Sequence, residues 1–126
     1  MLCLSSETER FVDWLELMIG DIDEIASFTC EHDPVHALED RRTRLAVERL
    51  LARLSEAISR FRRAEVPLAE LEPDVPWRRI HDFGNLIRHG YDAVEDDQVT
   101  DIVRTHLQPL RAAALRLKAR FEAEAS

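Results

Sequence analysis

A chain of 126 residues can bury one core and is too short for two ordinary domains, so one domain spanning 1–126 is expected. Hydrophobic residues make up 45% and charged residues 33%, glycine numbers only 3, and no run of valine, isoleucine and threonine alternates with polar residues; this argues against a sheet and for an all-α fold. The formal net charge of -8 repels a polyanion at long range, which argues against a nonspecific nucleic-acid coat and leaves only local RNA contacts.

The elements follow in chain order. Met1 to Leu4 lack the basic segment and long apolar core of a signal peptide, and no run is long enough to span a bilayer, so a soluble cytoplasmic protein is expected. Ser6-Glu7-Thr8-Glu9 has the form of a capping box and opens a first helix over 7–29, with Phe11, Leu15, Met18, Ile22 and Ile25 as its apolar stripe. Cys3 and Cys30 flank that helix and are held roughly 35 to 40 Å apart, too far for a disulfide, and two free thiols suit a reducing cytosol. Asp33-Pro34 caps and opens a second helix, whose core stripe includes Leu38, Leu45, Val47, Leu50, Leu51, Leu54, Ile58 and Phe61. Arginines 41, 42, 44, 49 and 53 on it alternate with acids at 39, 40, 48 and 56, the pattern of a solvated, ion-paired face. Val66 to Pro76 holds three prolines and no stripe, which makes it the longest connection. Pro76 starts a third helix that buries Trp77, Ile80, Phe83 and Ile87. Glu95-Asp96-Asp97 places negative charge at the start of a fourth helix, with Val99, Ile102, Val103, Leu107, Leu110, Ala114, Leu117 and Phe121 buried and a kink at Pro109. The sum is an antiparallel four-helix or five-helix bundle with a kinked last helix.

The chemistry concentrates in Gly84-Asn85-Leu86-Ile87-Arg88-His89-Gly90-Tyr91, where an amide, a guanidinium, an imidazole and the chain's one phenol fall within about two helical turns. Those groups can handle a phosphate. The stretch resembles the signature of the HEPN superfamily, in particular the HepT-like toxin ribonucleases, in which an arginine and a polar residue, usually Asn, precede a His-x-Tyr. Asn85, His89, Gly90 and Tyr91 fit; Gly84 stands where the family has arginine, and an arginine appears instead at position 88. Ser55-Glu56-Ala57 and Pro76-Trp77-Arg78-Arg79-Ile80 look like further parts of the same family, so the resemblance extends by pattern over nearly the whole chain.

The resemblance implies a HEPN-like bundle and a twofold homodimer whose signature helices meet in a shared cleft, with Gly84 and Trp77 at the dimer contact. It implies metal-independent RNA cleavage in which His89 moves a proton, Arg88 stands in for the absent arginine as the fixed positive charge, and Asn85 completes the site. Arg78 and Arg79 are the RNA-binding candidates on the same helix. It implies a nucleotidyltransferase antitoxin as partner, with Tyr91 as the acceptor of AMP. A catalytically silent HEPN domain that binds nucleotide or RNA, or scaffolds the nucleotidyltransferase, stands beside this reading, because Gly84 leaves a relocated arginine and a dead site both open. Arg88-His89-Gly90 is also an ordinary helix ending. No cofactor is expected, and no metal: Asp33-Pro34 breaks any continuous helix between His32 and His36.

Overall fold

The computed structural model describes residues 2–29, 33–89 and 96–125. Every secondary-structure element among them is helical: α1 (Leu2–Thr29), α2 (Pro34–Ala37), α3 (Arg41–Arg63), α4 (Leu68–Leu71), α5 (Trp77–Arg88), α6 (Asp96–Asp101), a π-helical turn (Ile102–His106) and α7 (Leu107–Ala125). Cys30, His32 and the stretch 90–95, with Gly90, Tyr91 and Glu95, lie outside the described residues.

Cross-helix pairs fix the packing order and direction. Asp23 pairs with Arg111, Glu16 with Lys118 and Phe11 with Phe121, so α1 and α7 run antiparallel. Asp21 meets Arg53 while Trp14 meets Phe61, so α1 and α3 do the same. Helix α5 lies on α3, where Ser59 meets His81 and Leu51 meets Gly84. The buried side chains form one cluster, centred on Leu15, Met18, Ile22, Ile25, Leu51, Leu54, Ile58, Phe61, Leu110 and Leu117. This is an all-α antiparallel bundle.

Four boundaries or residues differ from the expectation. Helix α1 begins at Leu2, so Ser6 to Glu9 lie inside it rather than opening it. The second helix is broken: Pro34–Ala37 makes one turn, Leu38 to Asp40 leave the helix, and Asp40 starts α3 by accepting from the Thr43 N–H and hydroxyl, each at 2.9 Å. Leu45, expected in the core, is 51% exposed because it lies about 160° round α3 from Val47. Val66 to Pro76 holds the one-turn helix α4 and sends Leu68 and Val75 into the core.

The expected kink at Pro109 takes a different form. The irregular turn is the π-helical segment Ile102–His106, and α7 restarts at Leu107, so Pro109 falls in its first turn. Asp101 and Leu107 on either side of the π turn both keep α-helical dihedrals, so the chain passes through it without a cap, and Pro109 brings no N–H to the ladder just beyond.

Candidate functional site

Helix α5 carries two polar stripes. Trp77, His81, Gly84 and Arg88 lie on one, and Arg78, Asp82, Asn85 and His89 on the next, because successive residues turn by about 100°. The first stripe faces α3 of the same chain. Trp77 is buried and its indole N–H donates to the Glu72 carbonyl at 3.0 Å. His81 Nε2 lies 2.8 Å from the Ser59 hydroxyl and its Nδ1 3.2 Å from Asp82. With Nδ1–H donating to the carboxylate, Nε2 accepts from Ser59. The buried Ser55 hydroxyl donates to the His81 carbonyl at 2.8 Å.

Gly84 is the closest point of this contact. A Cβ there would run into the Ser55 Cβ and stand 2.8 Å from the Leu51 carbonyl oxygen. The neighbour that requires glycine is therefore the chain's own α3, not a second copy of α5. The same geometry leaves Trp77 in the core rather than on a dimer surface, and it means that the gap at Gly84 is filled by α3 instead of being open to the Arg88 side chain.

Arg88 nevertheless turns towards α3, where its Nη1 lies 3.2 Å from the Glu56 carboxylate. Glu56 also accepts from Arg63 at 3.0 Å. The Arg63 hydrogen bond, followed by the field of Arg88, holds the Glu56 carboxyl below its ordinary value. His89, next in sequence, is on the outward stripe and exposed. It ends α5, its N–H bonding to the Asn85 carbonyl at 3.2 Å, and Asn85 is half-buried one turn before it. Asn85, Arg88 and His89 thus share the last turn of one helix, with the guanidinium drawn to α3 and the imidazole facing out. Tyr91 lies outside the described residues.

A groove of about 590 Å³ opens beside this turn, between α1 and α3. Its walls hold Arg88 together with Arg49, Arg53 and Arg60 of α3, and two carboxylates, Asp21 and Glu56. Asp21 bonds Arg53 at 3.1 Å, yet burial outweighs that partner and raises its pKa. The α3 arginines look in the sequence like part of an ion-paired surface, and Arg44 with Glu48 fits that description. Arg49, Arg53 and Arg60 were legible only as helix residues spaced by four and seven; their placement beside Arg88 required the tertiary contact of α3 with α5.

Arg78 and Arg79 sit at the opposite end of α5, about 15 Å along the axis from His89. Arg79 pairs with Asp101 at 3.1 Å and Arg78 with Asp82 at 3.8 Å. The cavity that Arg79 lines holds Asp82, Asp97 and Asp101 as well, so its field is acidic. His106 lies at that end too, its Nε2 3.6 Å from Asp101. Among the described residues no group of three or more histidines, cysteines, aspartates or glutamates is placed to hold a metal ion.

This helical order and this signature turn set the chain beside one family, whose model, described as ribonuclease HepT-like, matches residues 18–117. The chain belongs to the HepT-like ribonuclease family. Membership in the HEPN superfamily follows, and with it a ribonuclease-type HEPN domain. No curated protein and no solved structure matches the chain. The matched segment of this HepT-like chain contains all of α3 and α5, and so the whole groove wall from Arg49 to Arg60 together with Arg88 and His89. No helix among the described residues is long and apolar enough to cross a membrane.

Proposed function

We propose that this HepT-like domain is a metal-independent endoribonuclease of a toxin–antitoxin pair, with Arg88 and His89 as its reacting groups. The observation that carries the reading is their placement on the last turn of α5, with the guanidinium at the wall of an arginine-lined groove and the imidazole exposed beside it. In the reaction the ribose 2′-oxygen forms a bond to the adjacent phosphorus and the bond to the 5′-oxygen breaks. His89 accepts the 2′ proton or delivers one to the leaving oxygen. Arg88 stabilises the extra negative charge on the phosphorane through two parallel hydrogen bonds, and Asn85 orients the phosphate. In this scheme an incoming phosphate replaces Glu56 as the partner of Arg88.

The homodimer belongs to the same proposal. The outward stripe with Asn85 and His89 is the surface that a second copy would face across a shared cleft, since the stripe with Trp77 and Gly84 is already covered by α3. A nucleotidyltransferase partner would silence the site by transferring AMP to Tyr91, adding bulk and negative charge where RNA binds. Mass spectrometry of the Tyr91 peptide after incubation with that partner and ATP tests this step, and an unmodified peptide ends it.

Cleavage of a purified RNA is expected to fall by at least a hundred-fold in both Arg88→Ala and His89→Ala, a size typical of losing a general acid or base or a charge-stabilising donor. Unchanged cleavage in Arg88→Ala overturns the relocated arginine. One observation favours a second reading, a silent HEPN domain that only binds RNA or its partner: position 84 has no room for the family arginine. That reading predicts RNA binding without cleavage in the unaltered protein.

A further inference from the structure

The groove between α1 and α3 differs in charge from the rest of the molecule. The chain as a whole carries -8, yet the groove presents four guanidiniums to two carboxylates. Arg53 is matched by Asp21, and Arg88 shares Glu56 with Arg63. Among the described residues no carboxylate comes within ion-pair distance of Arg49 or Arg60, although Arg60 adds its field to that on Glu56, and both arginines are exposed. In an acidic protein, such a local excess of cations marks a place where an anion replaces the missing partners.

Two features select among anions. Arg49 and Arg60 lie eleven residues apart on α3, about 16 Å along its axis, which is longer than the phosphates of one mononucleotide reach. A chain of phosphates spans it. The floor is apolar, formed by Trp14, Leu17 and Met18, and Leu17 is 52% exposed. An acidic peptide would satisfy the arginines and leave that surface wet, and a duplex would keep its bases paired and out of reach. A single strand offers both phosphates for the rim and a free base for the floor.

We propose that the α1–α3 groove is an extended binding segment for single-stranded RNA, in which Arg49 and Arg60 hold phosphates beyond the scissile one and an unpaired base rests against Leu17 and Trp14. The identity of the strand rests on the ribonuclease reading above; the groove itself does not contain His89. Arg88 joins the two, being part of the groove wall and of the proposed reacting turn. The arrangement makes the enzyme selective for unpaired RNA through a contact remote from the reacting bond, and it gives the α3 arginines the role first assigned to Arg78 and Arg79.

The test uses the full chain and a fluorescently labelled single-stranded oligonucleotide with 2′-O-methyl groups, which lacks the attacking hydroxyl, beside the all-ribose version. Arg49→Ala/Arg60→Ala is expected to weaken binding of the methylated strand by roughly ten-fold at moderate salt and to reduce the slope of log affinity against log salt by about 1.4, since each phosphate contact on a single strand contributes about 0.7. Leu17→Ser is expected to weaken it several-fold with no change in that slope, and a duplex of the same sequence is expected to bind more weakly than the strand. Both substitutions are at exposed positions, and unchanged melting of each variant checks the fold.

Unchanged affinity and slope in the double variant, equal binding of duplex and strand, or displacement of the strand by polyglutamate at equal charge concentration would each overturn the groove assignment. The His89→Ala protein separates the two proposals. If the unaltered protein cleaves the ribose strand, His89→Ala does not, and the arginine double variant binds normally, the nuclease stands and the groove falls. If the unaltered protein binds through Arg49 and Arg60 but cuts nothing, the groove stands and the nuclease falls. Absence of both binding and cleavage by the unaltered protein removes both.

Discussion

Gly84 and Glu56 decide most of what the last turn of α5 can do. A methyl group at position 84 would be pressed against a backbone oxygen of α3, which cannot swing aside as a side-chain tip can. Gly84→Ala should therefore lower stability, by about 1–3 kcal/mol for overpacking, offset by about 1 kcal/mol of helix propensity. Urea denaturation checks the sign; a more stable Ala variant would mean that α3 and α5 separate readily. For the same reason Gly84→Arg would not rebuild the family motif but would push the two helices apart. Glu56 is the carboxylate between Arg63 and Arg88, and its pKa lies below the ordinary 4.5. A carboxyl whose folded value is depressed stabilises the fold above its unfolded value and loses that contribution as pH falls through the folded one. Glu56→Gln should thus cost little, under about 1 kcal/mol for a partly exposed pair, at neutral pH. The difference from the unaltered protein should vanish as pH is lowered below 4.5. A gap that persists at lower pH would show that packing, not charge, is the cause. The residues of this turn were legible in the sequence as a set. Their directions were not, because a stripe on a helix does not say which side its partner occupies.

Helix ends show where local sequence is a sufficient guide and where it is not. Asp40 caps α3 through Thr43, a pattern present in the sequence but hidden by the stronger-looking Asp33-Pro34 seven residues earlier. Both are real caps, each of its own helix. At the other end α3 closes with the Val66 N–H bonded to the Phe61 carbonyl and the Glu65 N–H to Arg62, both at 2.9 Å. This is a Schellman ending, and Glu65 holds the left-handed position at φ 60° that glycine normally takes. Glu65→Gly should raise stability by about 1 kcal/mol, since the left-handed conformation costs a side-chain-bearing residue roughly 1–2 kcal/mol and glycine's extra unfolded freedom returns part of it. Thermal melting measures it, and a lower Tm would mean that the Glu65 side chain makes a contact worth more than the strain. Propensity and capping thus explain how each helix stops. The π turn between α6 and α7 lies just ahead of Pro109 and buries Ile102 and Val103, with Leu107 buried directly after it.

Across the whole molecule, three long helices are joined by an aromatic knot. Phe11 lies 5.3 Å from Phe121 and 5.9 Å from Phe61, and Trp14 meets Phe61 edge-on at 5.3 Å, so α1, α3 and α7 share one contact. Phe61 is fully buried, and Phe61→Ala should cost about 3–5 kcal/mol. A large fall in the urea midpoint with an unchanged slope is expected; a small fall would mean that the bundle collapses into the space. Trp14 also forms part of the groove floor, so the same knot that holds the bundle supports the surface proposed to meet RNA. By itself the sequence determined the all-helical architecture, the apolar stripes of α1, α3, α5 and α7, and the family signature around Asn85 and His89. These follow from periodicity and residue type, which act over a few turns of chain. Only the tertiary structure decided that Gly84 packs against α3, that Trp77 is core, and that Arg49, Arg53 and Arg60 gather with Arg88. Each of those depends on the rotation of one helix against another, which is set by the shape of both packed faces and by no local pattern in either.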